Sequence, residues 1–300
     1  MNVAIETRAV GKRYGRKWAL QDCTLSVSTG CVVGLVGANG AGKTTLLHLI
    51  VGLLAPSAGT LTVLGESPAA GPAELARVGF LAQDAPLYSM LTIADHLRLG
   101  QHLNPRWDAD GAHARIAQLG LDLKQRAGQL SGGQRAQVAL TLAVAKRPDL
   151  LVLDEPVAGL DPLARRDFLK LLMENVAEHD LTVLLSSHLL GDIERVCDHL
   201  VVLAASRVQL AGEVHDLLST HRLLVGARGN GATLPSDVEV IDESTTDRQT
   251  TLVVRTTSTM FDPSWAVSAL GLEDLVLAYL GQSARELRSA RAVQTVEETR

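Results

Sequence analysis

Short, continuously apolar runs alternate along this chain with longer stretches in which apolar positions recur every three or four residues. CVVGLV (31–36), LLVLD (150–154), TVLLSS (182–187) and LVVLA (200–204) show no polar alternation. That is the pattern of strands buried on both faces of a parallel sheet covered by helices. A helix is predicted after Asp161: Asp161 suits its cap, Pro162 its first position, and Leu169, Leu172 and Val176 recur at helical spacing. Residues 84–147 contain helical stretches, the turn cluster LNPRWDADG and a Gly-rich loop but no comparable apolar strand, which predicts a helical insertion into the sheet domain.

From about residue 220 the texture changes. RLLVGARG, DVEVID and TTLVVRT alternate with polar and Gly-containing turns, and helical material is expected from about Pro263 onward. This predicts a small α/β appendage. The Arg-, Glu- and Ala-rich stretch from Ser283 is expected to fray.

Composition adds exclusions. With 300 residues, 46% hydrophobic and 20% charged, the chain can build a sizeable core, and its length suits a principal domain with an appendage. A formal charge of -5 argues against direct nucleic-acid binding through diffuse electrostatics. Cys23, Cys31 and Cys197 form no C-x-x-C pair, so neither a disulfide framework nor a zinc site is suggested, and a reducing cytoplasm fits. Glu6 and Arg8 interrupt the N-terminal apolar residues, which predicts a mature chain starting near Met1. Lys43 breaks the longest apolar candidate, so no stretch approaches the roughly 18 residues of a spanning helix, and any membrane role runs through a partner.

The chemistry enters at GANGAGKTT (37–45), set between an apolar strand and the helical run LLHLIVGLL. It matches G-x-x-x-x-G-K-[ST] in the context that makes such a match informative. Gly37, Gly40 and Gly42, with Ala38, Asn39 and Ala41, let the backbone turn its N–H groups toward a phosphate at a helix start. Lys43 is placed to reach the β- and γ-phosphates, Thr44 to ligate Mg²⁺, and Thr45 to complete the loop. An isolated Asp-Glu pair ending a strand reads as solvated acids. Beside a phosphate loop, Asp154 reads as the holder of Mg²⁺ through water, and Glu155 as the group that orients and polarises the attacking water.

LSGGQ (130–134), lying between that loop and the acidic strand, is the more selective motif. Here the chain resembles the ATP-binding subunit of ABC transporters over about residues 3–220. Ser131 and the N–H groups of Gly132 and Gly133, with Gln134, form a second anion site at a helix start. The resemblance implies an α/β fold of the P-loop NTPase type: an ATPase domain over 1–220 with a helical subdomain at about 84–147, followed by the small appendage over 221–300. It implies ATP and Mg²⁺ as ligands, and a second copy or homologous ATPase subunit packed head to tail, so that each ATP lies between one phosphate loop and the other signature. It also implies separate transmembrane permease subunits and a peripheral position on the cytoplasmic face of the membrane.

Other positions match the family one by one. Tyr14, with Trp18 as its rival, is similar to the aromatic that stacks on adenine. Gln83 resembles the glutamine that touches Mg²⁺ or the attacking water and senses the permease. Asp161, in AGLD, resembles a residue acting across the dimer, a role compatible with its cap. His188, which alone would read as structural, looks like the switch histidine at the γ-phosphate. Gln137 stands where many relatives have arginine, and TLAVAKRP replaces a common Ala-Arg-Ala pattern, which puts helix-surface contacts there in doubt. The single cassette and short appendage look like bacterial exporters, and an exporter is preferred to an importer. NPRWD (104–108) and LEDLVLAYLG (272–281) match such systems loosely, with a solvent-exposed turn as an equal reading of the first. Soluble ABC ATPases of ribosomes or DNA are the alternative. They usually carry two cassettes or a long coiled coil, and neither is evident. A nucleotide-binding scaffold without turnover is disfavoured by Lys43, Glu155 and His188 together.

Overall fold

The computed structural model describes residues 2–229, 234–257 and 262–298. Strands β1 (Val3–Tyr14) and β2 (Lys17–Ser28) form a long antiparallel ribbon, followed by β3 (Val32–Val36), α1 (Lys43–Ile50) and β4 (Ala58–Val63). β1 lies between β2 and β4 in a three-stranded antiparallel sheet. The hydrophobic pattern did not reveal this layer, because register shifts around Val10 break the alternation that marks a half-buried strand. The layer shares a core with α1: Ala4, Ile5, Val10 and Leu20 pack with Leu46, Leu47, Leu49 and Ile50.

The chain continues through α2 (Pro72–Arg77) and β5 (Val78–Leu81) into the helical region, α3 (Ile93–Leu103), α4 (Ala109–Gln118) and α5 (Gly132–Ala145). These helices enclose their own cluster of Ile93, Leu97, Ala112, Ile116, Leu130 and Val138. The NPRWD turn is more than a solvated corner. Trp107 packs against this cluster, Arg106 pairs with Asp149 at 2.9 Å, and Asp108 caps α4 through Gly111 N–H.

β6 (Leu150–Asp154), α6 (Pro162–His179), β7 (Thr182–Ser186), α7 (Leu190–Val196), β8 (His199–Ala204) and β9 (Arg207–Glu213) complete the main sheet. Its order is β5-β6-β7-β3-β8-β9, parallel except for β9. Four of these strands are the predicted apolar runs. α6 begins where expected, with Asp161 accepting from Leu163 and Ala164 N–H at 3.0 Å each. β6, β7 and β3 are consecutive neighbours, so the segments leaving their carboxyl ends meet in one crevice.

Beyond α8 (Val214–Ser219), strands β10 (His221–Ala227), β11 (Glu239–Thr245), β12 (Gln249–Arg255) and β13 (Ala266–Ala269) form an antiparallel sheet of order β11-β12-β10-β13. β13 occupies positions expected to be helical from Pro263, and the helix α9 begins only at Leu272. It runs to Glu298, past the point where the polar composition predicted fraying. Leu272, Leu275, Val276 and Tyr279 of α9 belong to the same core as Leu153, Leu185 and Ile193 of the main sheet region. The C-terminal helix is therefore packed into the body that carries the phosphate loop. Among the described residues, no helix is long and apolar enough to cross a membrane.

Candidate nucleotide-binding site

The segment 37–42 leaves β3 and turns directly into α1. Its shape depends on two glycines in particular. A Cβ at Gly37 would lie 2.2 Å from the Leu203 carbonyl oxygen, and Gly42 has φ of 110° with the Ala19 oxygen 2.5 Å from where its Cβ would stand. Side chains at either position would push the loop off the sheet. Lys43, 8% exposed, donates to the Gly37 carbonyl at 2.8 Å, and its ammonium lies 3.5 Å from Glu155 Oε1.

Glu155 follows β6 in a left-handed conformation, φ 48°, which costs a non-glycine residue about 1–3 kcal/mol unless its surroundings enforce it. Here they do. Ser186 Oγ accepts from Glu155 N–H at 2.8 Å and donates to Asp154 Oδ1 at 2.7 Å. Ser186 is fully buried and sits opposite Asp154 in the β6–β7 register. Sequence reasoning assigned it no role; the only signal was a hydroxyl closing an apolar strand. The kink swings the Glu155 carboxylate to His188, whose Nδ1 lies 2.7 Å from Oε2.

These groups surround a cavity of about 770 Å³ lined by Gly37, Ala38, Asn39, Gly40, Gly42, Lys43, Thr44, Thr45, Gln83, Glu155 and His188. An ammonium, loop N–H groups at a helix start and exposed hydroxyls on one side, facing a carboxylate–imidazole pair on the other, form a site suited to a polyphosphate and a water nucleophile.

Known proteins share both sequence and fold with this chain. Residues 20–158 match the sequence profile of the family described as ABC transporter. The thiamine import ATP-binding protein ThiQ of Shigella flexneri serotype 5b is 37% identical over 203 residues, 65% of this chain and 87% of that protein. The chain belongs to the ABC transporter ATP-binding family. The ThiQ protein of Escherichia coli strain K12 shows the same identity and coverage. Among solved structures, an ATP-binding subunit of an ABC transporter superposes with TM-score 0.65 at 31% identity, covering 71% of this chain and 91% of its own. The cbiO1 protein of Clostridium perfringens, described as part of the transporter complex cbiONQ, gives 0.63 at 26% identity, covering 72% and 91%. The protein is thus an ATP-binding, ATP-hydrolysing subunit of an ABC transporter, and the soluble ribosome or DNA alternative is not favoured.

Within this ABC ATPase, several predicted residues stand apart from the cavity lining. Ala41 is a buried member of the loop itself, and Asp154, 2% exposed, lies behind Glu155 on Ser186. Tyr14, expected to stack on adenine, is 51% exposed at the end of β1 with Lys12 Nζ 5.6 Å from its ring, and Ala19 of β2 lines the cavity instead. Trp18 lies under Arg13 and is likewise absent from the lining. Ser131 caps α5 in a reciprocal box with Gln134, at 3.2 Å and 2.9 Å, so both side chains are used in shaping the helix start. The signature Ser131, Gly132, Gly133 and Gln134, and Asp161 at the cap of α6, all lie outside their own chain's cavity. Gln137, which stands where many relatives have arginine, is buried within α5, and among the described residues its side-chain oxygen has no hydrogen-bond partner.

Proposed function

We propose that this ATPase hydrolyses Mg·ATP in a head-to-tail pair and passes the resulting movement to a separate transmembrane permease. The observation that carries the coupling is the position of Gln83. Its side chain lines the nucleotide cavity, while its neighbours Leu81, Ala82, Pro86 and Leu87 line a groove of about 650 Å³ with Leu53, Leu75 and Phe80. Leu53 and Leu75 are 61% and 47% exposed, and Tyr88 and Met90 nearby in sequence are 66% and 70% exposed. A clustered exposed apolar surface marks a protein-binding face. One short segment thus touches both the nucleotide cavity and a docking groove.

Within the site, Thr44, Gln83 and, through water, Asp154 supply the hard oxygen donors that suit Mg²⁺. Lys43 holds the phosphates, Glu155 polarises the attacking water, and His188 fixes Glu155 and meets the γ-phosphate. Tyr14 is the exposed aromatic available to the adenine end. The open helix start at Ser131–Gly133 lies outside its own cavity, which supports its use on the second subunit's ATP, with Asp161 acting across the same contact. On this reading residues 221–300 are an accessory unit on the 1–220 cassette, and the protein is peripheral on the inner face of the membrane. The export direction rests on the single cassette and short appendage; the ThiQ relatives are named for import.

The test is co-purification with a multi-span membrane protein, sought among those encoded beside this gene. Leu53→Asp/Leu75→Asp is expected to lose that partner while still binding ATP. Undiminished co-purification of the double variant contradicts the groove as the docking site.

A further inference from the structure

Cys31, Asp198 and His199 come together at the opposite end of β3 from the phosphate loop. Cys31 Sγ, a ring nitrogen of His199 and a carboxylate oxygen of Asp198 all lie within 4.8 Å of one another. Strand pairing produces the cluster. Val33 stands beside His199 in the parallel β3–β8 pair, and His199 faces Glu213 in the antiparallel β8–β9 pair. Cys31, two residues before Val33, falls on that same face and packs with Val33 in one apolar cluster. Asp198 is held by the neighbouring backbone: Val32 N–H donates to its Oδ1 at 3.0 Å, and its own N–H donates to the Val32 carbonyl at 3.0 Å. The spacing of the cysteines along the chain suggests no zinc site, because the groups that meet Cys31 are not cysteines and belong to distant strands.

A thiol, an imidazole and a carboxylate are donors of the types that Zn²⁺ takes. The imidazole is already oriented: His199 Nδ1 lies 2.9 Å from Asp198 Oδ1, and Nε2 lies 3.8 Å from Glu213 Oε1. Among the described residues, both carboxylates pair with His199 and neither pairs with a Lys or Arg. The cluster therefore carries excess negative charge, which a divalent cation offsets. The Cys31 thiol is partly exposed, and its hydrogen bond to the Thr29 carbonyl is long, 3.9 Å, so turning toward a metal sacrifices little. His199 also lines an open cavity of about 520 Å³, which gives an ion access. Zinc bonds of about 2.0–2.3 Å in a tetrahedron set donor atoms about 3.3–3.8 Å apart, a spacing that side-chain rotation supplies. An ordinary surface Asp–His contact accounts for the carboxylates and the imidazole and leaves the thiol beside them unexplained.

We propose that Cys31, Asp198 and His199 bind a divalent ion of the zinc class, with Glu213 beside the imidazole, at a site separate from the nucleotide cavity. Binding forms Zn–S, Zn–N and Zn–O bonds, the Cys31 thiol proton passes to solvent, and water takes the remaining position. The ion ties the start of β3 to β8, and so stabilises the folded sheet by mass action.

The test uses full-length protein stripped of metal with a chelator and free of nucleotide. Zn²⁺ binding is measured by calorimetry, and Co²⁺ serves as a spectroscopic probe of thiolate ligation. The parent is expected to bind about one Zn²⁺ per chain and to show a sulfur-to-cobalt charge-transfer band. Cys31→Ser is expected to lose that band, and Cys31→Ser and His199→Ala each to weaken Zn²⁺ binding about tenfold or more, while ATP binding stays at the parental value. Cys23 and Cys197 are buried, so a maleimide reads Cys31 in the folded parent, and Zn²⁺ should slow that labelling without any substitution. Absence of a thiolate band in the parent overturns the proposal. So does equal Zn²⁺ affinity in the parent and both variants, or maleimide labelling of the parent at the same rate with and without Zn²⁺.

Discussion

His188 Nδ1 lies 2.7 Å from Glu155 Oε2, and the His188 backbone N–H approaches the same oxygen at 3.3 Å. One carboxylate oxygen is thereby anchored to the segment after β7, while Oε1 faces Lys43 at 3.5 Å. The two contacts leave Glu155 little freedom to turn away from the cavity, and a water-polarising group depends on such constraint. His188→Ala is therefore expected to lower ATP turnover by about 10²-fold, the scale of a small misplacement at a reacting centre. ATP binding should fall much less. Steady-state ATPase rates beside equilibrium nucleotide binding check this, and a full-rate variant contradicts the anchoring role.

Ser186 supports the same pair from behind. Replacing it with Ala leaves the Glu155 N–H and Asp154 Oδ1 without a buried partner, at about 1–3 kcal/mol for each unsatisfied group. Chemical denaturation should show that loss. The Mg²⁺ concentration required for turnover should also rise, because Asp154 is no longer held in place. A Ser186→Ala protein of parental stability contradicts this account of the kink at Glu155.

His221 predicts a pH effect on stability. Burial pushes its imidazole below the ordinary value of 6.5, against the opposing hydrogen bond to the Leu217 carbonyl and with Arg255 nearby adding to the shift. The neutral ring donates from Nδ1 to Leu217 O at 2.6 Å and can accept from Tyr279 at Nε2. As pH falls through about 6.5, the unfolded chain takes up a proton that the folded chain resists, so stability declines on the acid side. This contribution is complete above the ordinary imidazole value and is lost as pH falls through the lower folded one. Denaturation midpoints measured from about pH 7.5 down to pH 5 should fall more steeply for the parent than for His221→Gln. Identical slopes contradict the assignment.

Much of the site was legible because its residues are consecutive or end an apolar strand. Lys43 and Thr44 sit in an unbroken loop, and Asp154 and Glu155 close an unmistakable buried run. The less visible features depend on register or on distant segments. The β1–β2–β4 layer is obscured by its bulges, and β5 is four residues long. Ser186 acts only because the β6–β7 pairing sets it opposite Asp154. Leu277 of α9 lines the nucleotide cavity because that helix folds back over β8 and α7, a placement that no local pattern encodes. The burial of Gln137 is likewise set by the elements packed over α5, and helical periodicity alone does not say which faces those elements cover.

The most direct test of the central claim is single-turnover ATP hydrolysis by Glu155→Gln alongside direct ATP binding. The side chain keeps its size and loses its capacity to polarise water, so ATP should remain bound while hydrolysis falls by about 10²–10⁴-fold. Hydrolysis at the parental rate by an ATP-saturated Glu155→Gln protein would contradict the placement of Glu155 at the centre of the reaction.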